Sequence, residues 1–388
     1  MDFSFEKDQE LIRKSSKEFF EKECPKDKVR ELKEDTLGYD PKVWKKMVDL
    51  GHVGLVIPEA YGGTEGNFID IMILMEEMGR NIVPCPYFPT VVLCGFPLLK
   101  FGTEAQKKDH LKKIAEKGQI WTLALHEDAV NYEPSDITLS AVANGDKFVL
   151  NGKKLFVPFA NVAEKLIVIA RTLASEKGST GITAFIVDAK TPGISVEVIP
   201  TTARDKQCEV VFKDVAVPAA DILGKKDEGW EVIEFLLYQG TALKCAEISG
   251  SAQAALQITN QYVKERTQFD KPIGSFQAIQ HRLVDNLTEV DAVKNLVYEV
   301  AWRINEGIPS KREVSSLKVK ANGAHHRICY NGIVSHGAIG FTEEMDIGLY
   351  HLRSRTFEFD MGSTDFHLNR IADELKNHQP EFLNLYNK

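Results

Sequence analysis

The residue pattern of this chain changes twice, and these changes constrain its fold more than any other feature. Before about residue 119, apolar residues recur at helical spacing; after it, short β-branched runs are separated by Gly, Asn and Asp. Helical spacing returns after Gly224. The pattern predicts an α+β fold in which an antiparallel β domain lies between two helical domains. The predicted strands are Lys147–Leu150, Leu166–Ala170, Ile182–Val187, Ile194–Ile199 and Glu209–Phe212.

The same changes of pattern predict where the domains begin and end. We expect an N-terminal helical domain (1–120), a middle β domain (121–224) and a C-terminal four-helix-bundle domain (225–388). In the β domain, Asn151 and Gly152 directly follow a predicted strand. Because Asn-Gly readily adopts the backbone of a tight turn, this pair predicts a hairpin turn.

Composition and charge exclude several classes of protein. The 388 residues carry a net charge of −8, so nucleic acid is not an expected partner. No apolar run is long enough to cross a bilayer, and the N-terminal residues lack the pattern of a signal peptide. The six cysteines include no Cys-x-x-Cys pair, which indicates reduced thiols and a cytoplasmic location. His325 and His326 would point to different faces of a helix without a third ligand, so no metal site is expected.

One stretch, Lys264–His281, carries the most chemistry. It begins where a predicted helix ends, and Pro272 and Gly274 interrupt the helical spacing. Ser275 is expected to cap the next helix, because its hydroxyl can accept a hydrogen bond from an unpaired N–H group. The loop holds a guanidinium, an amide and a phenyl ring. A guanidinium can bind a phosphate through two hydrogen bonds, and an aromatic ring can pack on a flat heterocycle.

The motif Arg-x-Gln-Phe-x-x-Pro-Ile-Gly-x-Phe-Gln-Ala-Ile-Gln-His, which begins at Arg266, resembles that of the acyl-CoA dehydrogenase family. The order of helical, β and helical segments is similar to that family over the whole chain. In the family, this loop of one subunit reaches across an interface to the FAD held by the next subunit. The resemblance implies FAD as the cofactor and an acyl-CoA as the substrate. The FAD-binding residues that it implies here are Arg266, Gln268, Phe269 and Gln277, with Gly337 and Gly340 from a glycine turn.

Several positions depart from the family motifs around the flavin. Phe156 keeps an aromatic ring for the flavin, but His126 stands where the family has Thr. Pro158 replaces a residue whose hydroxyl bonds the flavin, and a proline offers neither a hydroxyl nor an N–H group. Asp270 stands where the family usually has Gly. A carboxylate beside a diphosphate is unfavourable unless it points away or pairs with Lys271.

The catalytic base is the part that the motifs do not supply. In the family, a carboxylate removes the α proton of the thioester while the β hydrogen leaves as hydride. Counting from neighbouring motifs places the two usual base positions on Met361 and Gly240, which carry no carboxylate. The nearby acids Asp360 and Glu247 are therefore candidate bases. The alternative for Asp360 is a solvated or salt-bridged acid, and for Glu247 an ion-pair partner at a subunit contact.

These features resemble the base-lacking subunits of heteromeric acyl-CoA dehydrogenases. The leading hypothesis is an FAD-dependent subunit for α,β-desaturation that completes the FAD site of a base-bearing partner, as in a heterotetramer. One alternative is a self-sufficient flavoenzyme, such as a homotetramer, with a relocated base or non-oxidising chemistry. Another is a structural paralogue without flavin. The family further implies an electron-transfer flavoprotein as the electron acceptor.

Overall fold

The computed structural model describes residues 4–173 and 178–377. The described residues form helices before and after a β-rich middle, which confirms the predicted α+β fold. They group into two compact units. One unit is drawn from Met1–Cys24, Ile71–Ile82 and Thr241–Lys388, and the other from Pro25–Asp70 and Val83–Gly240. The domain boundaries at residues 120 and 224 stay a prediction.

Helices dominate the first part of the described chain, and local sequence signals account for several of their ends. Asp40 accepts a hydrogen bond from the N–H of Lys42 (2.8 Å), and Pro41 occupies the first helical position. Thr103 and Gln106 form a capping box. The helices are α1 (Lys7–Glu23), α2 (Lys26–Glu34), α3 (Pro41–Asp49), α4 (Phe68–Asn81), a π-helix (Phe88–Gly95), α5 (Phe96–Phe101) and α6 (Glu104–Lys117).

An eight-stranded sheet forms the middle of the chain, and each predicted strand lies in it. The strands are β1 (Trp121–Ala124), β2 (Ser140–Asn144), β3 (Lys147–Pro158), β4 (Lys165–Arg171), β5 (Ile182–Asp188), β6 (Ile194–Ile199), β7 (Gln207–Pro218) and β8 (Ile222–Leu223). Their order is β6-β7-β3-β2-β4-β5-β8, with β1 also paired to β4. Neighbours are antiparallel except that β4 pairs parallel with β1 and, at one position, with β2. Alternating residues such as Leu150, Phe185 and Phe212 are buried together in one core.

The turn between β2 and β3 corrects the predicted position of the hairpin. Asn144 pairs with Lys147, so the turn consists of Gly145, at φ 64°, and the residue after it. Asn151 and Gly152 instead lie inside β3, at a β-bulge. The strand continues past them because its later residues also pair with β7. The turn therefore falls at the earlier of the two Asn-Gly pairs, and the later pair lies at a bulge within the strand.

The last part of the described chain is helical, apart from one short hairpin. Its elements are α7 (Trp230–Glu265), β9 (Thr267–Gln268), β10 (Lys271–Pro272), α8 (Gln277–Asn305), α9 (Lys311–His336), α10 (Asp346–Phe359) and α11 (Thr364–Asn377). The prediction that Ser275 caps α8 was wrong. Phe276 precedes the helix and gives no side-chain cap, while the Ser275 hydroxyl donates to the carbonyl of Pro272 (2.7 Å) within a short 3₁₀ turn.

Two glycines allow α4 and α7 to cross at close range. A Cβ on Gly79 would lie 1.8 Å from the carbonyl oxygen of Glu247, and one on Gly250 would lie 1.8 Å from that of Glu76. Any side chain at these positions would separate the helices. The crossing therefore depends on glycine for space.

Several broad features of the described residues bear on the class of protein. No helix within residues 4–173 and 178–377 is long and apolar enough to cross a membrane. In the same ranges, no three His, Cys, Asp or Glu side chains lie close enough together to hold a metal ion. All six cysteines are free thiols, and five of them are buried.

The left-handed backbone at Gly145 predicts a specific effect on stability. We expect Gly145→Val to lower the free energy of unfolding by about 1–2 kcal/mol, because a β-branched residue is disfavoured in this conformation. Gly145→Asn is the matched control, since Asn tolerates the same backbone. Urea denaturation measures both. Equal midpoints for the two variants would show that the turn lies elsewhere.

Candidate cofactor and active site

The hairpin of β9 and β10 follows α7 directly and has a strained tip. Gln268 pairs with Lys271, which leaves Phe269 and Asp270 as the two turn residues. Both have positive φ, 53° and 63°. Two-residue turns of this kind favour glycine or asparagine, and a bulky residue such as Phe is an outlier there. The hairpin thus holds an aromatic ring at its tip at some conformational cost.

The side chains of this hairpin are open to solvent. Phe269 is 85% exposed, and its ring meets that of Phe276 edge to face, with centroids 6.1 Å apart. In the described part of the chain, the guanidinium of Arg266 makes no hydrogen bond or ion pair. The amide of Gln268 donates to the neighbouring carbonyl of Thr267 (2.8 Å). A cation and a phenyl ring are therefore available to an incoming ligand.

The glycine turn lies beside the base of this hairpin. Gly337 follows α9 with φ 69°, and no atom lies within 4 Å of where its Cβ would stand. A Cβ on the buried Gly340 would lie 2.8 Å from the carbonyl oxygen of Ile333, so this position requires glycine. The ring of His336 stacks on that of Tyr262 at the end of α7, with centroids 4.1 Å apart. The stacking brings the two motifs together.

The predicted FAD-binding residues of this unit gather around the hairpin and fit the cofactor chemically. Gln277 is exposed and begins α8 next to Phe276, which contacts Phe269. The set offers a guanidinium, amides and an aromatic ring, together with open space over Gly337. A guanidinium binds a diphosphate, and the ring packs on a flat heterocycle.

Phe156, the remaining predicted cofactor residue, belongs to the other compact unit. It has φ 51° and lies on β3 where the pairing with β7 slips. The carbonyl of Pro158 accepts the hydroxyl of Thr122 (2.6 Å). The carbonyl of His126 accepts the N–H of Leu155 (2.8 Å), and burial lowers the pKa of the His126 imidazole to about 4. This side therefore presents a neutral histidine and a proline where the family has hydroxyl groups.

A buried ion pair on the same two segments was missed by the sequence analysis. Lys154 Nζ lies 2.8 Å from Glu127 Oε1 and 2.8 Å from the carbonyl oxygen of Leu125. Glu127 also accepts the N–H groups of Thr138 and Leu139. Burial lowers the pKa of Lys154 to about 8, although Glu127 opposes this change. Burial opposes ionisation of Glu127 too, but Lys154 and the hydrogen bonds outweigh it and lower the carboxyl pKa.

The two usual base positions hold no carboxylate in the folded chain. Thr241, which follows Gly240 in α7, places its hydroxyl 3.5 Å from the carbonyl oxygen of Met361. Nε2 of His367 lies 2.8 Å from the same oxygen. Met361 is buried with φ 60°. The contact joins Thr241, which follows one predicted base position, to Met361 at the other, and both of these residues are buried.

Lys244 forms ion pairs with both candidate bases. The sequence analysis did not identify this lysine. Its Nζ lies 2.6 Å from Glu247 Oε2 and 3.4 Å from Asp360 Oδ2, and its side chain is 7% exposed. Burial would lower the pKa of Lys244, but Glu247 and Asp360 together raise it. Asp360 is thus a salt-bridged acid whose partner comes from α7. The (i, i+3) spacing of Lys244 and Glu247 was the available sequence signal.

Further buried contacts hold the turn that carries Met361. Lys318 donates to Asn322 Oδ1 (2.8 Å) and to the carbonyl of Phe357 at the end of α10. Burial lowers the pKa of Lys318 to about 8. The carboxylate of Glu358 accepts the N–H (2.8 Å) and the hydroxyl (3.0 Å) of Thr364, which begins α11. The turn is therefore fixed on both sides.

Comparison with known proteins assigns the chain to a family. Family models match it in three parts: acyl-CoA dehydrogenase, N-terminal domain (residues 6–118), middle domain (122–215) and C-terminal domain (227–376). A relative, "Probable acyl-CoA dehydrogenase YngJ" of Bacillus subtilis (strain 168), is 32% identical over 384 residues, which are 97% of this chain and 100% of the relative.

Solved structures agree with this assignment. Butyryl-CoA dehydrogenase from Megasphaera elsdenii is similar with a TM-score of 0.90 and 30% identity, covering 97% of this chain and 100% of that one. A chain in the ChsE4-ChsE5 complex from Mycobacterium tuberculosis has a TM-score of 0.87 and 26% identity, with coverage of 97% and 100%.

The chain belongs to the acyl-CoA dehydrogenase family. The predicted family and fold are confirmed, as is the class of oxidoreductases acting on CH–CH groups. Members of the family are FAD-binding flavoproteins, so the prediction of FAD as the cofactor is confirmed at the level of the family. The roles of individual residues stay predictions.

The buried ion pair gives a prediction with a neighbouring control. Lys154→Met leaves Glu127 buried without its counter-ion, so we expect the free energy of unfolding to fall by about 3–5 kcal/mol. Lys153→Met is the control, because Lys153 forms an exposed ion pair with Asp128 (2.8 Å) and should matter little. The double variant Glu127→Gln, Lys154→Met should recover part of the loss. Urea denaturation checks all three, and equal effects of the two lysine variants would contradict the prediction.

Proposed function

We propose that this chain is a subunit of an FAD-dependent acyl-CoA dehydrogenase that completes the FAD site of a base-bearing sister subunit. The reaction is α,β-desaturation of an acyl-CoA thioester. One observation carries the proposal: Met361 and Gly240 occupy the usual base positions, while Lys244 pairs with both neighbouring acids, Glu247 and Asp360.

The pairing with Lys244 makes these acids poor bases. A general base must accept a proton in the reacting complex. Both carboxylates are already engaged by the buried ammonium of Lys244, which needs them as counter-ions. The thioether of Met361 is only a weak hydrogen-bond acceptor. A sister subunit that supplies the base would remove this deficit.

The exposed hairpin supports a role toward another subunit. Arg266 has no partner for its guanidinium among the described residues, and Phe269 stands in solvent on a strained turn. Strain of this kind is common where a segment binds a ligand. When bound, FAD supplies the acceptor for the hydride. Arg266 would hold its diphosphate, and the amides of Gln268 and Gln277 would add donors.

Similarity to a chain of the ChsE4-ChsE5 complex is compatible with assembly into a hetero-oligomer. The departures at His126 and Pro158 point the same way, because they weaken the chain's own flavin-facing segments. The departures from the family motifs therefore fall in the segments that would hold the chain's own flavin. The hairpin that would reach a partner's flavin keeps most of the family motif.

The purified chain alone tests the central claim. We expect substoichiometric flavin, measured by absorption, and no oxidation of butyryl-CoA or longer acyl-CoAs with an artificial electron acceptor, because both candidate bases pair with Lys244. Co-expression with a base-bearing acyl-CoA dehydrogenase subunit from the same organism should give a yellow, active complex. Full flavin occupancy with rapid turnover of the chain alone would contradict the proposal. A colourless complex would favour the structural paralogue.

A self-sufficient enzyme with Asp360 as a relocated base is the second candidate. It is favoured by one observation: the side chain of Asp360 is 31% exposed and directly precedes Met361. The variant Asp360→Asn separates the two candidate functions. Its counterpart is Glu247→Gln, which removes the other carboxylate that pairs with Lys244. Loss of activity on Asp360→Asn in an active chain would support the relocated base.

The proposed function also predicts the effect of replacing Arg266. In the assembly that the chain forms, Arg266→Ala should weaken FAD retention at least about tenfold, because a charge-assisted bidentate contact is lost. Arg312→Ala is the matched control, since Arg312 pairs on the surface with Glu313. Released FAD is measured by fluorescence after dilution. Equal retention by both variants would mean that the hairpin does not hold the cofactor.

A further inference from the structure

Asp270 is the hairpin residue that the proposed function leaves unexplained. It stands at the second turn position with φ 63°, where a glycine would be relaxed. Asp tolerates this backbone better than most residues, but it adds a negative charge to the tip. The family usually has Gly here. The chain therefore carries a carboxylate at a point that does not need a side chain.

The carboxylate of Asp270 has no counter-ion within the described residues of its own chain. Lys271 follows it directly, but the ammonium of Lys271 lies over the ring of Phe276, 4.4 Å from the centroid, and forms no ion pair with Asp270. The ion pair between Asp270 and Lys271, which the sequence allowed, is therefore not formed. Arg266 also makes no ion pair with Asp270.

An uncompensated carboxylate works against the task proposed for the hairpin. Arg266 attracts a diphosphate, whereas Asp270 at the tip repels it. The whole chain also has a net charge of −8, so a second copy of it carries an overall negative charge. A basic side chain opposite Asp270 would neutralise the tip and leave the attraction of Arg266 intact.

We infer that Asp270 selects the subunit that the hairpin meets. It disfavours closure of an FAD site by a second copy of this chain, and it favours a sister subunit that faces the tip with Lys or Arg. The inference rests on the proposed function, because it assumes that the hairpin approaches a partner's FAD. Selection of this kind uses a repulsive charge against the wrong partner as well as an attraction to the right one.

The affinity of the purified chain for FAD tests this inference. Asp270→Asn removes the charge while keeping a residue that tolerates the left-handed backbone. We expect FAD to bind the Asp270→Asn variant about three- to tenfold more tightly than the wild type at low ionic strength, with a smaller difference at high ionic strength. Glu265→Gln is the control, because Glu265 is an exposed acid near the hairpin that bonds Gln261. Fluorescence titration with FAD measures all three proteins.

The outcomes separate this inference from the proposed function. Equal FAD affinities for the Asp270→Asn and Glu265→Gln variants, including no measurable binding by either of them, would overturn the inference. A difference that does not shrink with salt would also overturn it, because the effect would then not be electrostatic. Full flavin occupancy and turnover of the wild type alone would instead overturn the proposed function, while the charge effect would still be measurable.

Discussion

The burial of Lys244 is the constraint on which the candidate active site depends. An ammonium in this position needs nearby carboxylates, because an unpaired buried charge is strongly unfavourable. Glu247 supplies one from the same helix, and Asp360 supplies the other from the end of α10. The pairing ties α7 to the turn that contains Met361. It also engages Glu247 and Asp360, the two acids that the sequence offered as candidate bases.

Hydrogen bonds from neighbouring residues hold the turn at Met361, a position that the sequence predicts for the base. The carbonyl of Met361 accepts hydrogen bonds from Thr241 and His367, and Glu358 bonds both the backbone and the hydroxyl of Thr364. These partners hold Met361 in a left-handed conformation that its own side chain does not favour. Because these contacts use backbone atoms and neighbouring side chains, the local fold does not require a carboxylate at position 361.

The sequence predicted the parts of this structure that depend on local pattern. Four of the five β-branched runs became strands with buried apolar residues, whereas Ile194–Ile199 forms a largely exposed strand at the edge of the sheet. The turn at Gly145 was misplaced because two Asn-Gly pairs occur close together, and only the pairing of β3 with β7 decides between them. The contact of Lys244 with Asp360 could not be read from the sequence, since it joins residues on separate helices. The motif around Arg266 identified a loop between two helices, but its hairpin pairing, exposure and strain required coordinates.

The two strained turns of this unit differ in what stabilises them, and the difference bears on function. Met361 is buried, and hydrogen bonds from its own chain compensate for its backbone conformation. Phe269 has a similar φ but stands in solvent, where the chain offers its ring little more than the edge of Phe276. A bulky aromatic residue in this state gains little from the isolated chain, since its apolar surface stays in water. Under the proposed function, a sister subunit would cover this ring and complete the site.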